Sequence, residues 1–224
     1  MCNHFRSART AEIEAIIAED IHGDVFADHE IWPHYMAPII RHDFDTGKRV
    51  VEAAGFGMIA SWWRQSKPPR GTQNARSETV HELPTFKTSW AKTRFCLVPV
   101  NRYFEPKYGA DRKYKEDWSV ARNDGDVFCV AAIWNHWQGN ASLEGRTTFS
   151  LLTMNCDHHP VLNQLHAPDD EKRSLIHILP DEYDAWLTAS SELARVMLTL
   201  PEADKLVLAP APNARRGKKA GEPA

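Results

Sequence analysis

Apolar positions recur with a period near two along most of the chain, and that pattern predicts strands. The stretch IWPHYMAPII from Ile31 carries two prolines and reads as extended chain leading into a strand. VVEAAGFGMIASWW follows with loose alternation, and its Gly55 and Gly57 mark a bulge or a close backbone approach. Residues 72–79, TQNARSET, are polar and read as a turn or the approach to one. FCLVPVNRYFEP from Phe95 is β-rich despite Pro99, and DWSVAR is a short strand. Asn123-Asp124-Gly125-Asp126 predicts a hairpin that joins DWSVAR to VFCVAAIW. TTFSLLTM comes after a Gly/Asn/Ser loop at 139–145, and LVLAPA from Leu206 closes the pattern.

Helical spacing is confined to the two ends. Thr10 is placed to cap a short helix with Ile13, Ile16 and Ile17 on one face. Past Leu179, Tyr183, Trp186 and Leu187 share one face, while Leu193, Val196, Met197 and Leu200 share another. Many strands with few helices predict an α+β architecture: a β-rich single domain over residues 1–212 whose sheet curls into a barrel-like core with a few flanking helices. The Arg-, Lys-, Gly- and Ala-rich residues 213–224 read as a disordered basic tail.

Composition supports a substantial core: 224 residues, 42% hydrophobic, with eight tryptophans. No apolar run approaches the roughly 18 residues of a membrane span, and no signal peptide pattern stands at the start, so a cytoplasmic monomer is expected. Four cysteines, Cys2, Cys96, Cys129 and Cys156, are widely spaced without a CxxC pair, which indicates neither a zinc site nor a disulfide framework. Cys96 and Cys129 lie in apolar runs and read as inert core thiols.

The net charge of -3 argues against nucleic-acid binding by bulk charge, but its distribution changes the picture. Ala53 to Ser77 holds no acid and contains Arg64, Lys67, Arg70 and Arg76; Leu83 to Phe104 likewise holds none after Leu83 and contains Lys87, Lys92, Arg94 and Arg102. A face carrying both segments could follow a phosphate backbone. Trp62, beside the basic loop, could stack on an unpaired base.

Candidate chemistry begins at Cys2, which follows Met1 directly. Its small side chain favours removal of that methionine, and an N-terminal cysteine is a 1,2-aminothiol. The amine can add to an aldehyde to give a Schiff base, and the thiolate can then close a durable thiazolidine. Glu105 places a carboxylate at the edge of a mostly apolar strand, a setting suited to a general acid or base. Asn74 and Arg76 lie in the polar stretch, and His166 precedes Pro168. Asp157-His158-His159 has no partner ligand at suitable spacing, so no metal is assigned, and no cofactor is expected.

Taken together, MCNHF at the start, HYMAP (34–38), FGMIASW (56–62), NARSET (74–79), FCLVPVNRYFEP (95–106), FSLLT (149–153) and Leu165-His166 ahead of HILPDEYDAWL resemble the SOS response-associated peptidase family, also called abasic-site processing proteins. The resemblance implies a β-rich fold that holds single-stranded DNA in a basic groove and joins an abasic-site aldehyde to the N-terminal cysteine. Carried over by position, it implies Cys2 as the crosslinking residue, Asn74 as the amide that orients it, Glu105 as the acid/base carboxylate and His166 as the active-site histidine. Arg70 and Arg76 would meet phosphates, and Trp62 a base. The same Schiff base could also lead to strand cleavage by β-elimination, and the family name implies peptidase activity, at least in removing Met1.

Three departures stand out. The family usually begins Met-Cys-Gly-Arg, where this chain has Asn3-His4, leaving His4 in place of an arginine at the DNA. A tryptophan commonly follows the glutamate; here Pro106 does. The segment Ala167 to Arg173 interrupts the usual run after the histidine, with Arg173 and His177 as substitutes. Two rival functions use the same residues: a thiol peptidase or N-terminal nucleophile hydrolase built on Cys2, His166 and Glu105, and a noncatalytic single-strand binder.

Overall fold

A computed structural model describes residues 2–19, 21 and 29–212, so the tail assigned to 213–224 lies outside the described residues. In chain order the elements are β1 (Phe5–Ser7), α1 (Thr10–Ile17), β2 (Glu30–Ile31), β3 (Met36–Asp43), β4 (Lys48–Phe56), β5 (Asn74–Arg76), α2 (Lys87–Ala91), β6 (Phe95–Tyr108), β7 (Tyr114–Arg122), β8 (Phe128–Gly139), β9 (Glu144–Asn155), β10 (Arg173–Leu175), β11 (His177–Ile178), α3 (Tyr183–Leu187), α4 (Ser191–Met197) and β12 (Leu206–Pro210). Among the described residues the twelve strands form one curled sheet flanked by the short helices, so the β-rich reading with few helices holds.

The spine of the sheet is β6. Its first half pairs with β8, from Phe95↔Ile133 to Val100↔Phe128, and its second half pairs with β7, from Tyr103↔Val120 onward. The turn at Asn123–Asp126 therefore does not close a hairpin. The turn itself forms, with Gly125 at φ +79 and its N–H on the Arg122 carbonyl. Its flanking strands, however, part to opposite halves of β6, and β7 takes β12 as its other neighbour. A strand as long as β6 can serve two partners in succession, and this is where the sheet turns its corner.

The near-continuous apolar runs of β6 and β8 follow from burial on both faces. Phe95 and Leu97 face a core that α1, α3 and α4 cover, together with Trp90 and Trp186, while Cys96, Val98 and Val100 face a second core inside the curl with Phe5, Phe56 and Phe149. Trp186 is wholly buried and its indole N–H donates to the Cys96 carbonyl at 3.0 Å, which ties α3 to the spine.

Three local expectations are corrected. Arg9, not Thr10, caps α1; the Glu12 carboxylate accepts the Arg9 backbone N–H at 2.8 Å, and Ile13 and Ile17 are buried as the spacing predicts. TQNARSET does run into a turn, with the Thr79 N–H on the Arg76 carbonyl at 3.1 Å, but first it carries β5, a strand parallel to β9 with Asn74↔Leu151 that was not expected, because the polar side chains there are buried against partners that the local sequence cannot reveal. On α4, Met197 packs against the core as expected, but Leu193 and Val196 are exposed (46% and 73%), and Ala194, with Leu198 just past the helix end, takes the inward positions instead. The Asp157–His159 stretch is occupied structurally. Asp157 accepts the Lys172 backbone N–H at 2.8 Å, and His159 Nδ1 accepts the Leu162 N–H while Nε2 donates to the Pro201 carbonyl at 2.8 Å.

Candidate active site

Cys2 precedes β1, which pairs with β6 through Phe5↔Tyr103, and the Phe104 N–H donates to the His4 carbonyl at 2.9 Å. These ladder contacts draw the start of the chain onto the spine, and Cys2 becomes fully buried inside the curl. From the other side β5 brings Asn74, whose Nδ2 donates to the Cys2 carbonyl at 2.7 Å. The Oδ1 of the same amide is buried without a hydrogen-bond partner among the described residues. Burial raises the Cys2 thiol far above its usual range, and the nearby Glu105 charge adds to the rise, while backbone hydrogen bonds at His4 and Phe104 oppose it. The thiol's own hydrogen bond runs to the His4 carbonyl, at 3.3 Å.

Glu105 lies two residues after Tyr103 on β6, so both point to the inner side of the strand; its carboxyl is 2% exposed, not at a surface strand end. His166 faces it with Nδ1 3.7 Å from Oε2. A parallel bridge between Lys107 and His166 and the His166 N–H on the Pro106 carbonyl (2.7 Å) place the imidazole beside the carboxyl. His166 itself adopts φ +66, a left-handed conformation that is uncommon outside glycine and often marks functional positions.

Glu105 and Asn74 line a cavity of about 680 Å³, with His4, Trp32, His34 and Arg70 on its other walls. The His4 ring is stacked between Trp32 and Phe104, with centroids at 3.9 and 4.1 Å, and its Nε2 is paired with Glu30. The His34 imidazole is pushed down, first by burial and then by the positive charges of Arg146 and Arg70. Trp62, Arg76 and Arg173 lie off the cavity wall. Trp62 is 53% exposed with its N–H on the Pro84 carbonyl. Arg76 projects from β5 two positions beyond Asn74 and pairs with Glu171 at 2.9 Å. Arg173 is 3% exposed and committed to Glu78 and Glu171. The structure thus brings Cys2, Asn74, Glu105 and His166 together with His4 and Arg70, and sets the remaining three candidates outside this cavity. The site can hold a small polar carbonyl compound with attached anions, beside a paired carboxyl and imidazole able to move protons.

Sequence reading missed Trp32, His34, Gln73 and Asp117 in the cavity wall. For His34 the signal was its place in HYMAP; Gln73 and Asp117 look like ordinary polar positions. Gly57 was marked as a close approach, and the reason is now visible: at φ +122, a Cβ there would sit 3.0 Å from Gln73 Nε2.

Comparison with known proteins gives a concordant result. The chain is 24% identical over 142 residues to the abasic site processing protein HMCES of Xenopus tropicalis, covering 55% of this chain and 42% of that protein. It is 23% identical over 111 residues to the abasic site processing protein YoqW of Bacillus subtilis, covering 50% and 47%. The matched stretches thus span less than half the length of these relatives. Among solved structures, a Bordetella bronchiseptica protein superposes with a TM-score of 0.84 at 30% identity, covering 94% of this chain and 99% of that one. A Bacteroides thetaiotaomicron protein shares the fold at a TM-score of 0.79 and 21% identity, covering 99% and 97%. Residues 1–214 match the family described as SOS response associated peptidase (SRAP), and the chain belongs to that family.

Proposed function

We propose that this chain is a DNA-damage response protein that captures the aldehyde of an abasic site in single-stranded DNA as a covalent adduct of Cys2, once Met1 has been removed. The observation that carries the reading is the Asn74 hydrogen bond to the Cys2 carbonyl, which anchors the first residue of the processed chain beside the buried Glu105–His166 pair. The relatives' names, abasic site processing protein, agree with it.

The proposed chemistry balances without a cofactor. The Cys2 amine adds to the ring-opened sugar aldehyde, forming a C–N bond and a carbinolamine. Protonation of its hydroxyl by the Glu105–His166 pair expels water and leaves the imine. The thiol then adds across C=N, sulfur to carbon and its proton to nitrogen, closing the thiazolidine. The net change is the loss of one water. Asn74 Oδ1, buried without a partner among the described residues, is available to accept an N–H of the amine during this sequence. Arg70 would meet a flanking phosphate, with Trp62 and Arg76 further along the strand.

The state of the thiol favours this order over a thiol peptidase. A peptidase cysteine needs a lowered pKa and a histidine that takes its proton. Here burial and Glu105 push the thiol up, and it donates to a carbonyl. An amine that attacks first does not need a preformed thiolate. The test is incubation with single-stranded DNA bearing one abasic site, followed by a denaturing gel and mass spectrometry. A heat-stable adduct on the peptide starting at Cys2, lighter than the sum by one water, is expected. A crosslink from protein with an extra residue ahead of Cys2 would refute the mechanism, because that amine is then an amide.

A further inference from the structure

In sequence, Arg173 stands as a substitute for the residue the family has after the histidine, and so as a DNA contact. In the structure its guanidinium is 2% exposed and makes four hydrogen bonds: Nη1 to Glu171 at 2.6 Å, Nη2 to Glu78 at 2.6 Å and to the Thr153 carbonyl at 2.8 Å, and Nε to Thr153 Oγ1 at 3.3 Å. A guanidinium has only five N–H donors, so this one is nearly consumed within the protein. Its effect is to fasten β10 to β9, where Arg173 pairs with Asn155. The backbone carbonyl of Arg173 then accepts from His166 Nε2 at 2.9 Å.

A carbonyl oxygen only accepts, so this bond puts the imidazole proton on Nε2. The main chain that carries the ring is fixed, because the His166 backbone N–H is held by the Pro106 carbonyl at 2.7 Å in a left-handed conformation of φ +66. Nδ1 is left as the nitrogen that faces Glu105.

We propose that Arg173 is a positioning residue for His166: its buried guanidinium fixes the strand whose carbonyl holds the Nε2–H tautomer, so that Nδ1 meets Glu105 as a proton acceptor. With the proton on Nε2, Nδ1 is the acceptor that faces the Glu105 carboxyl across 3.7 Å, the arrangement an acid/base pair needs to give a proton to a leaving hydroxyl and recover it. This last consequence rests on the proposed role of Glu105 and His166; the tautomer does not. It also removes Arg173 from the set of DNA contacts.

The experiment uses the full chain labelled with 15N in its histidine rings, with His166→Ala to assign the signal. At alkaline pH, long-range 15N–1H correlations should show His166 protonated at Nε2 and bare at Nδ1. Arg173→Met should turn this into a tautomer mixture and slow crosslinking by roughly 10- to 100-fold, the scale on which a hydrogen-bond partner orienting a functional histidine acts. Affinity for single strands should stay within about twofold, since no phosphate contact is lost. If Arg173→Met does not fold, the double variant Glu78→Gln, Glu171→Gln loosens the same guanidinium from its two carboxylates and should move the tautomer in the same direction. A proton on Nδ1 in the unaltered chain, or an unchanged Nε2–H signal in every folded variant, overturns the proposal. Absence of any crosslink with the tautomer intact would instead refute the proposed function.

Discussion

Replacing Glu105 by glutamine separates proton transfer from everything else the site does. The substitution keeps the shape of a side chain that is 2% exposed and leaves His166 across from it at 3.7 Å, so fold and DNA binding should persist. What is lost is the carboxyl proposed to give a proton to the carbinolamine and recover it. Positioned general acid–base catalysis is worth roughly 100- to 10,000-fold, or about 3 to 5 kcal/mol in the barrier at about 1.4 kcal/mol per tenfold. Single-turnover crosslinking to a strand with one abasic site should slow by that factor. Affinity, measured with a strand carrying a tetrahydrofuran analogue that has no aldehyde, should hold. A second reading moves the opposite way. The Glu105 charge helps to raise the Cys2 thiol, so its removal should lower the thiol and speed alkylation of Cys2 while crosslinking slows. Equal losses in crosslinking and affinity would refute the assignment of Glu105 as the proton donor, and slower alkylation would refute the effect of its charge on the thiol.

Other substitutions test the remaining parts of the site. Asn74→Ala leaves the buried Cys2 carbonyl without its donor and should cost about 1–3 kcal/mol in denaturant unfolding, with crosslinking slowed further by a displaced Cys2. Gly57→Ala forces a side chain into φ +122 and against Gln73; a loss of about 1–3 kcal/mol should appear as a lower melting temperature. Binding to undamaged single strands should weaken with salt by a log-log slope of about 0.7 per phosphate contact, and Arg70→Glu should reduce that slope more than Arg76→Glu, because Glu171 already pairs with Arg76. Burial pushes the Glu78 and Glu171 carboxyls up, but the Arg173 hydrogen bonds and charge, together with hydrogen bonds from Asn155, hold both below the usual range. Such groups stabilise above the unfolded carboxylate pKa of about 4.3 and lose that contribution as pH falls through their folded values. Glu78→Gln should therefore flatten the loss of stability on acidification, measured by urea midpoints.

The sheet was legible where burial leaves a repeating mark. FCLVPV and VFCVAAIW read as strands because both their faces are buried, and the alternation of Cys96 and Val98 with Phe95 and Leu97 between two cores is the physical content of that run. Pairing was not legible at Asn123–Asp126, since a turn fixes where the chain reverses but not which strand the next one meets, and β6 offered a longer partner to each flank. β5 was hidden for a related reason: its Gln73, Asn74 and Ser77 are polar yet buried, with partners far away in sequence. At the site, Cys2, Asn74, Glu105 and His166 were reached through the resemblance to a family, while composition and spacing alone left them as a terminal thiol, a turn former, a strand-end carboxylate and one histidine among eleven.

The departures from the family pattern show which parts of the site are set by side chains and which by the backbone. His4, where an arginine is usual, is held as a flat ring between Trp32 and Phe104, with Glu30 on its Nε2; a cationic fork has become part of an aromatic wall. Pro106, where a tryptophan is usual, still supplies the carbonyl that takes the His166 N–H, a contact that any residue at that position can make. The segment after His166 returns through a turn with the Asp170 N–H on the Ala167 carbonyl at 3.1 Å and the Lys172 N–H on Asp157 at 2.8 Å, which delivers Arg173 to β9. His166 is therefore held by two backbone carbonyls, its main-chain N–H by Pro106 and its ring by Arg173, and both tolerate a change of side chain at Pro106 and a longer path to Arg173. A histidine held in this way can keep its relation to Glu105 while the sequence around it drifts. The proposed phosphate contacts, which depend on the side chains themselves, are where this chain should differ from its relatives.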